Sequence, residues 1–493
     1  MPKLRPKIPV LGGLLLVALS LLLLELLGVL RPRERDPRDR PNLLVLSIDT
    51  LRADHLGSYG YDRDTSPGLD ALAERSVRFA NVWAPSPWTL PSHAGMLTGI
   101  HPKRLGIATR DSSLPERAVT LAEHLAGFGY RTAGFVDSMP GGFVGSGRGF
   151  ARGFGEYRHL PAEATSGYRY DMAVTADRAI EWLDRADRGE PFFLFLHTKS
   201  VHALPSSGLS PDPRRFPYDK PEPYRSRFLT EEGAELSWVH PQLGSGIDLL
   251  RGLNEGIAAG RVRRDQIPDP RIEALKGLYD GGIVYVDHHF GRVLEALDRN
   301  GLASGTVVVV TSDHGESFLE HDLLLHKEVY PATLRVPLIV HLPWARSPGV
   351  VTERATLMDL VPTILAIAGA PVPPHLDGTA LSLEGNVPVD SASPLFAYYH
   401  STPGYYYEGY AMRDEAFTLV HHRLGRGSEY RTELYDHRTD PEELFPLRDQ
   451  PTRSREMLLR LSAWRETGAA SPAPTIEVDP ETLDHLRALG YAD

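Results

Sequence analysis

Three stretches of the chain stay apolar over the length of a strand, and each stops at groups that bind cations or anions. They are PNLLVLSIDT, where Leu43 to Ile48 runs between Pro41 and Asp49, PFFLFLHTKSVH from Pro191, and TVVVVTSDHGE from Thr306. An unbroken apolar run, unlike an alternating one, predicts a strand covered on both faces, as in a parallel sheet. Between these runs the apolar spacing changes to the helical period, in LDALAERSV, VTLAEHLAGFGY and VTADRAIEWLDRA. Strands alternating with helices predict a doubly wound, mostly parallel α/β domain, placed at residues 41–390. From about residue 393 the runs shorten and alternate, as in EAFTLVHH, and a helical stretch, SREMLLRLSAWRE, follows. That predicts a small C-terminal α+β subdomain over 391–493.

The N-terminus has a different pattern. Lys3, Arg5 and Lys7 precede an apolar run from Ile8 to Leu30 that only Glu25 interrupts. At 1.5 Å per residue such a run spans about 34 Å, enough to cross a bilayer. Residues 1–30 are therefore expected to be a transmembrane anchor, with a cleaved signal peptide as the alternative. RPRERDPRDR, residues 31–40, reads as a charged linker. The basic N-terminus belongs in the cytoplasm, which puts the folded part on the periplasmic or extracellular face. Residues 204–270, rich in Pro, Arg and Asp, read as a long insertion over the domain face.

Composition excludes some chemistry. The net charge of −11 over 493 residues argues against a nucleic-acid partner. The chain has no cysteine, which removes thiolate nucleophiles, disulfides and Cys-ligated metals. What remains is carboxylate, imidazole and hydroxyl chemistry. The first strand ends at Asp49, the second runs to His197 and His202, and the third ends at Asp313-His314. Sites in open α/β sheets form beyond the carboxyl ends of strands.

A fourth stretch, SPWTLPSHAGMLTG, reads as a helix start with Thr89 at its first turn and Pro91 just after. Thr89 has two readings. It is a side-chain cap of the helix, or it is a nucleophile at the positive end of the helix dipole, where an anion is stabilised.

Seven segments, in order, resemble the sulfatase family of the alkaline-phosphatase superfamily over about residues 41–445. They are NLLVLSIDTLRADHLGSYGY, TSPGLDALAERSVRFANVWA, LPSHAGMLTGIHP, LYDGGIVYVDHHFGRVLEAL, VVVVTSDHGE, LMDLVPTILAIAGAPVPPHLDG and ELYDHRTDPEE. The resemblance implies the alkaline-phosphatase/sulfatase fold and a metal-dependent ester hydrolase. In sulfatases the nucleophile is a Cys or Ser converted to formylglycine within Cys/Ser-x-Pro-x-Arg. On TLPSH the nucleophile position is Thr89 and the Arg position is His93, so formylglycine chemistry is not expected. Thr stands at that position in the phosphoethanolamine and glycerol-phosphate transferases of the superfamily.

The resemblance places a divalent metal among Asp49, Thr89, Asp313 and His314. Sulfatases carry two adjacent Asp at the first strand end, and here the second position is Thr50. With one carboxylate fewer and an imidazole added, Zn²⁺ or Mn²⁺ is favoured over Ca²⁺ or Mg²⁺. His202 matches the histidine that contacts the sulfate or its leaving group. His326 falls where sulfatases have Lys and the transferases His. His93, His202 and His326 are thus expected to bind substrate, with Thr89, His202 and His326 catalytic. The Lys-x-His after the third helix would fall at Asp137 and Met139 and is missing. His321 and Lys327 are expected to be solvated loop residues, and Asp280 and Asp287 structural. The tyrosines of GYYYEGY are read as packing rather than as a sugar platform.

Three functions follow: hydrolysis of a sulfate or phosphate ester, with a singly charged group preferred to a dianionic monoester; transfer of a phospho-group to an envelope lipid or glycan; or a non-catalytic, sulfatase-like binding protein.

Overall fold

The apolar runs become the centre of a nine-stranded sheet because their side chains feed two cores at once. The computed structural model describes residues 39–162, 170–187, 189–203, 216–240, 242, 244–345, 349–383, 393–400, 407–425, 429–468 and 471–488. The strands are β1 (Asn42–Ile48), β2 (Val77–Trp83), β3 (Arg131–Val136), β4 (Glu156–His159), β5 (Phe192–Thr198), β6 (Thr306–Thr311), β7 (Arg335–His341), β8 (Gly349–Val351) and β9 (Ala355–Thr356). Their order is β8-β2-β7-β6-β1-β5-β3-β4, with β9 also on β2. Only β7 runs antiparallel to its neighbours, and its pairing with β2 is irregular between Val336 and Leu338. Pro337 sits in that irregularity, a position where a strand tolerates a missing N–H.

Along β1, Leu43 and Val45 enter one core while Leu44, Leu46 and Ile48 enter the other. The first core takes α2 (Thr89–Thr98), α3 (Leu121–Gly127) and α6 (Leu360–Ile367). The second takes α1 (Pro67–Glu74), α4 (Met172–Leu183) and the 31-residue α5 (Asp269–Arg299). The result is a three-layer α/β/α domain. Each helix segment expected from the sequence is present within a few residues.

The C-terminal part holds a four-stranded antiparallel sheet, β10 (Leu395–Tyr399), β11 (Tyr407–Arg413), β12 (Phe417–Leu424) and β13 (Arg431–Asp436), under α7 (Pro451–Glu466). Met457 and Leu461 of α7 pack on Met412, Leu419 and Leu434. Of GYYYEGY, Gly404 to Tyr406 lie outside the described residues, and Tyr407 and Tyr410 are buried packing. The insertion expected over residues 204–270 carries structure of its own. Where described, it buries Phe216, Tyr218 and Trp238 and forms a helix over Ile247–Ala258, because its apolar residues recur at helical spacing there. The expected anchor and most of the linker, residues 1–38, lie outside the described residues. Among the described residues no helix is long and apolar enough to cross a membrane.

Candidate active site at the carboxyl ends of the strands

Register brings the predicted residues together. Ile48 pairs with Thr198, and Ser47 with Thr311, so the residues that leave β1, β5 and β6 emerge side by side. Asp49 leaves β1, Lys199 leaves β5, and Asp313-His314 follow β6. Asp49, Thr89, His93, His197, His202, Asp313 and His314 are all fully buried. Thr50 adopts φ 65°, uncommon for a β-branched residue. That turn points its N–H at Asp313 Oδ1 (3.3 Å), while its carbonyl accepts from Tyr279 (2.7 Å).

Thr89 is the first residue of α2 and does not cap it. The cap position is Trp88, with no side-chain cap, and the Thr89 hydroxyl donates to Asp49 Oδ2 at 3.3 Å. The capping alternative therefore fails on geometry. One turn on, His93 Nδ1 contacts the Thr89 carbonyl (2.9 Å) and lies 3.4 Å from Asp313 Oδ2. Its Nε2 contacts Ser47 Oγ at 3.1 Å.

Asp49 Oδ1, Asp313 Oδ2 and His314 Nε2 are buried without a hydrogen-bond partner. The His314 nitrogen lies 3.6 Å from Asp49 Oδ1 and 3.4 Å from Asp313 Oδ2. Ligand atoms of all three lie within 4.8 Å of one another, and His93, His197 and Asp313 form an overlapping trio. Orphaned buried carboxylates are costly, and a divalent cation satisfies them. Two carboxylate oxygens and a neutral imidazole nitrogen can ligate a divalent metal ion. Burial pulls His314 down to about 4 and His202 to about 3, so both are neutral at pH 7. Burial pushes Asp313 well above the usual carboxylate range, and Asp49 adds to that. Burial also raises Asp49, but the His197 contact and the Lys199 charge hold it well below that range.

His326 joins this group from a short hairpin, with its ring 4.6 Å from that of His314 and 5.0 Å from that of His202. Its Nδ1 lies 3.2 Å from Glu316 Oε1. His202 turns Nδ1 to its neighbour's carbonyl, Ala203 O, at 2.6 Å.

Two expectations fail. Lys327 is buried rather than solvated, pulled down to about 7 by its surroundings, with burial the main cause. His321 is half-buried and stacks on Tyr330, with ring centroids 3.6 Å apart. Both looked solvated because a polar loop carries no sign of the aromatic and carboxylate neighbours that cover it. The sequence reading missed Lys199 and Glu316. Lys199 had a signal, since it follows the last residue of β5 as Asp49 follows that of β1. Glu316 had none beyond its place in SDHGE.

The family model "Sulfatase" matches residues 41–370. The chain belongs to the sulfatase family. A second model, "N-sulphoglucosamine sulphohydrolase, C-terminal", matches residues 319–463. Among its relatives is an N-acetylglucosamine-6-O-sulfatase of Bacteroides thetaiotaomicron, 26% identical over 494 residues and covering 86% of each chain. Human arylsulfatase A is 28% identical over 366 residues, covering 69% of this chain and 67% of its own. The fold matches a solved structure in complex with its substrate D-glucosamine-2-N,6-O-disulfate (TM-score 0.66, 22% identity, covering 87% of this chain and 98% of that one). It also matches the phosphonate monoester hydrolase of Silicibacter pomeroyi (TM-score 0.64, 22% identity, covering 86% and 94%). This sulfatase-family chain is an ester hydrolase of the sulfatase type.

Proposed function

We propose that the protein is a metal-dependent hydrolase of sulfate or phosphate esters that uses Thr89 as its nucleophile. It works outside the cytoplasm, held to the membrane by residues 1–30. The observation that carries this reading is the Thr89 hydroxyl donating to Asp49 beside the orphaned Asp49–Asp313–His314 cluster. A hydroxyl is a weak nucleophile at neutral pH and needs activation.

Asp49, Asp313 and His314 would hold the cation, with the Thr89 oxygen next to it. A divalent cation there supplies positive charge that lowers the cost of an alkoxide and of charge on the ester oxygens. Asp49 Oδ2 orients the hydroxyl. The N-terminus of α2 adds its dipole and open N–H groups. Thr89 gives its hydroxyl proton to Asp49 Oδ2, and its Oγ forms a bond to sulfur or phosphorus while the bond to the leaving oxygen breaks. His202 or His326, neutral in the free protein, gains proton affinity beside an anionic ester, takes up a proton from solvent and gives it to the leaving oxygen. Water then attacks the covalent ester, an imidazole takes its proton, and Thr89 Oγ leaves and recovers its proton from Asp49.

Sulfated amino sugars are the first substrates to try, given the N-acetylglucosamine-6-O-sulfatase relative. The Thr at the nucleophile position and the membrane segment support a second reading. In it, a lipid or glycan hydroxyl replaces the water.

The test loads the purified protein separately with Zn²⁺, Mn²⁺ and Ca²⁺. It then follows an aryl sulfate, an aryl phosphate monoester and an aryl phosphodiester in the wild type and in Thr89→Ala. Turnover is expected to fall on the order of 10⁴-fold or more in the variant, the scale for losing a nucleophile. Undiminished turnover in Thr89→Ala removes the nucleophile reading. An added alcohol that captures the group ahead of water favours the transferase.

A further inference from the structure

Lys199 is a buried ammonium with too few partners. Its side chain is 2% exposed, and Nζ lies 3.8 Å from Asp49 Oδ2, the oxygen that also receives the Thr89 hydroxyl. That is an ion-pair distance and beyond hydrogen-bond length. Among the described residues Nζ has no hydrogen bond, though an ammonium carries three donors. The rings of Tyr170 and Phe143 lie 5.7 and 6.0 Å from Nζ, at cation–π range. The backbone beneath is fixed. Asp137 Oδ2 accepts from the Lys199 N–H (3.1 Å) and from Thr198 Oγ1 (2.8 Å), and Thr198 Oγ1 contacts Ser200 Oγ at 3.1 Å.

A buried charge held this rigidly and left short of acceptors is arranged for an acceptor that arrives with a ligand. Asp49 is not a sufficient partner, since the cluster with Asp313 and His314 draws on the same carboxylate. Strand register adds a second argument. Val136 pairs with His197, so Asp137 and Thr198 are level and Lys199 stands one residue further on. Asp137 is the position where the sulfatase resemblance expects a lysine. Here the carboxylate anchors the backbone of a lysine on the adjacent strand instead.

We propose that Lys199 is a substrate-binding catalytic residue, the cation that takes a non-bridging oxygen of the sulfuryl or phosphoryl group. This rests on the ester-hydrolase reading of the same site, but not on Thr89 being the nucleophile.

The test measures binding of inorganic sulfate and inorganic phosphate by calorimetry to the metal-loaded wild type, Lys199→Gln and Lys199→Arg. Metal content is determined on the same samples. Losing one charge-assisted contact is expected to weaken both anions about tenfold or more in Lys199→Gln. Metal content should be unchanged, and Lys199→Arg should recover most of the affinity. Because the probe is the anion and not turnover, the result is independent of Thr89. Failure of the nucleophile reading shows separately, as activity in Thr89→Ala. Unchanged anion affinity in Lys199→Gln overturns the proposal. So does loss of metal in that variant with unchanged affinity per loaded site, which makes Lys199 a counter-ion to Asp49.

Discussion

Asp280 on α5 and the pair Asp49–Asp313 at the strand ends are equally buried and treated in opposite ways. Asp280 is saturated. Its Oδ1 lies 2.6 Å from His55 Nδ1, and its Oδ2 accepts from Tyr61 and Arg63, both at 2.8 Å. Further along α5, Asp287 receives the Gly68 and Leu69 N–H groups at the start of α1. At the strand ends, Asp49 Oδ1 and Asp313 Oδ2 have no partner and face His314 Nε2, which has none either. Burial alone does not mark a functional carboxylate. A deficit of donors does, because structural polar groups in a core are satisfied by their neighbours.

The sharpest way to break this contrast is to neutralise one carboxylate from each region. Asp280→Asn strips the charge from a set that includes a guanidinium and should destabilise the protein by about 2–4 kcal/mol, with or without metal. Asp313→Asn keeps the acceptor for the Thr50 and His314 N–H groups and replaces only the buried Oδ2, which has no hydrogen-bond partner. The metal-free protein should therefore be at least as stable as the wild type, while metal binding and turnover collapse. Denaturant unfolding after chelation, with metal analysis and an ester assay, reads both. Equal destabilisation by the two substitutions would make the strand-end carboxylates structural and end the distinction.

Much of this was legible in the sequence, and the limit was physical. The apolar runs of β1, β5 and β6 give the parallel sheet, and the residues that end them give Asp49, His197, Asp313 and His314. What a linear pattern does not carry is which strand ends are neighbours. Lys199 becomes part of the site only once Thr198 pairs with Ile48. The turn at Thr50 is equally invisible, because its φ of 65° is imposed by bonds to Asp313 and Tyr279, both more than 200 residues away.

Asp137 lies between the two regimes, with one oxygen bonded and Oδ1 without a partner. Burial pushes it up to about 7 against an ordinary value near 3.8. Below pH 4 both the folded and the unfolded chain hold this proton. Between about 4 and 7 only the folded chain does, so its contribution to stability falls as pH rises through that window. The loss is on the order of a few kcal/mol. Asp137→Asn should flatten this slope and be the more stable form at pH 8. Melting temperatures of the metal-free proteins at pH 5 and pH 8 check it. An unchanged slope in the variant would show that the carboxyl is ionised across the window.

The smallest expected effect concerns which metal the strand ends prefer. Thr50 stands where the sulfatase resemblance expects a second aspartate, which leaves two carboxylates and an imidazole around the cluster. The backbone does not oppose restoring that aspartate, because Asp adopts a positive φ more readily than a β-branched residue. Thr50→Asp adds a hard oxygen donor without removing His314, so the change should fall mainly on hard cations. The expected outcome is about a tenfold rise in Ca²⁺ affinity relative to Zn²⁺, read by competition with a chromogenic chelator. If the ratio stays put, the softer character of the site lies in His314 rather than in the missing carboxylate. His314→Asn is then the substitution that should move it.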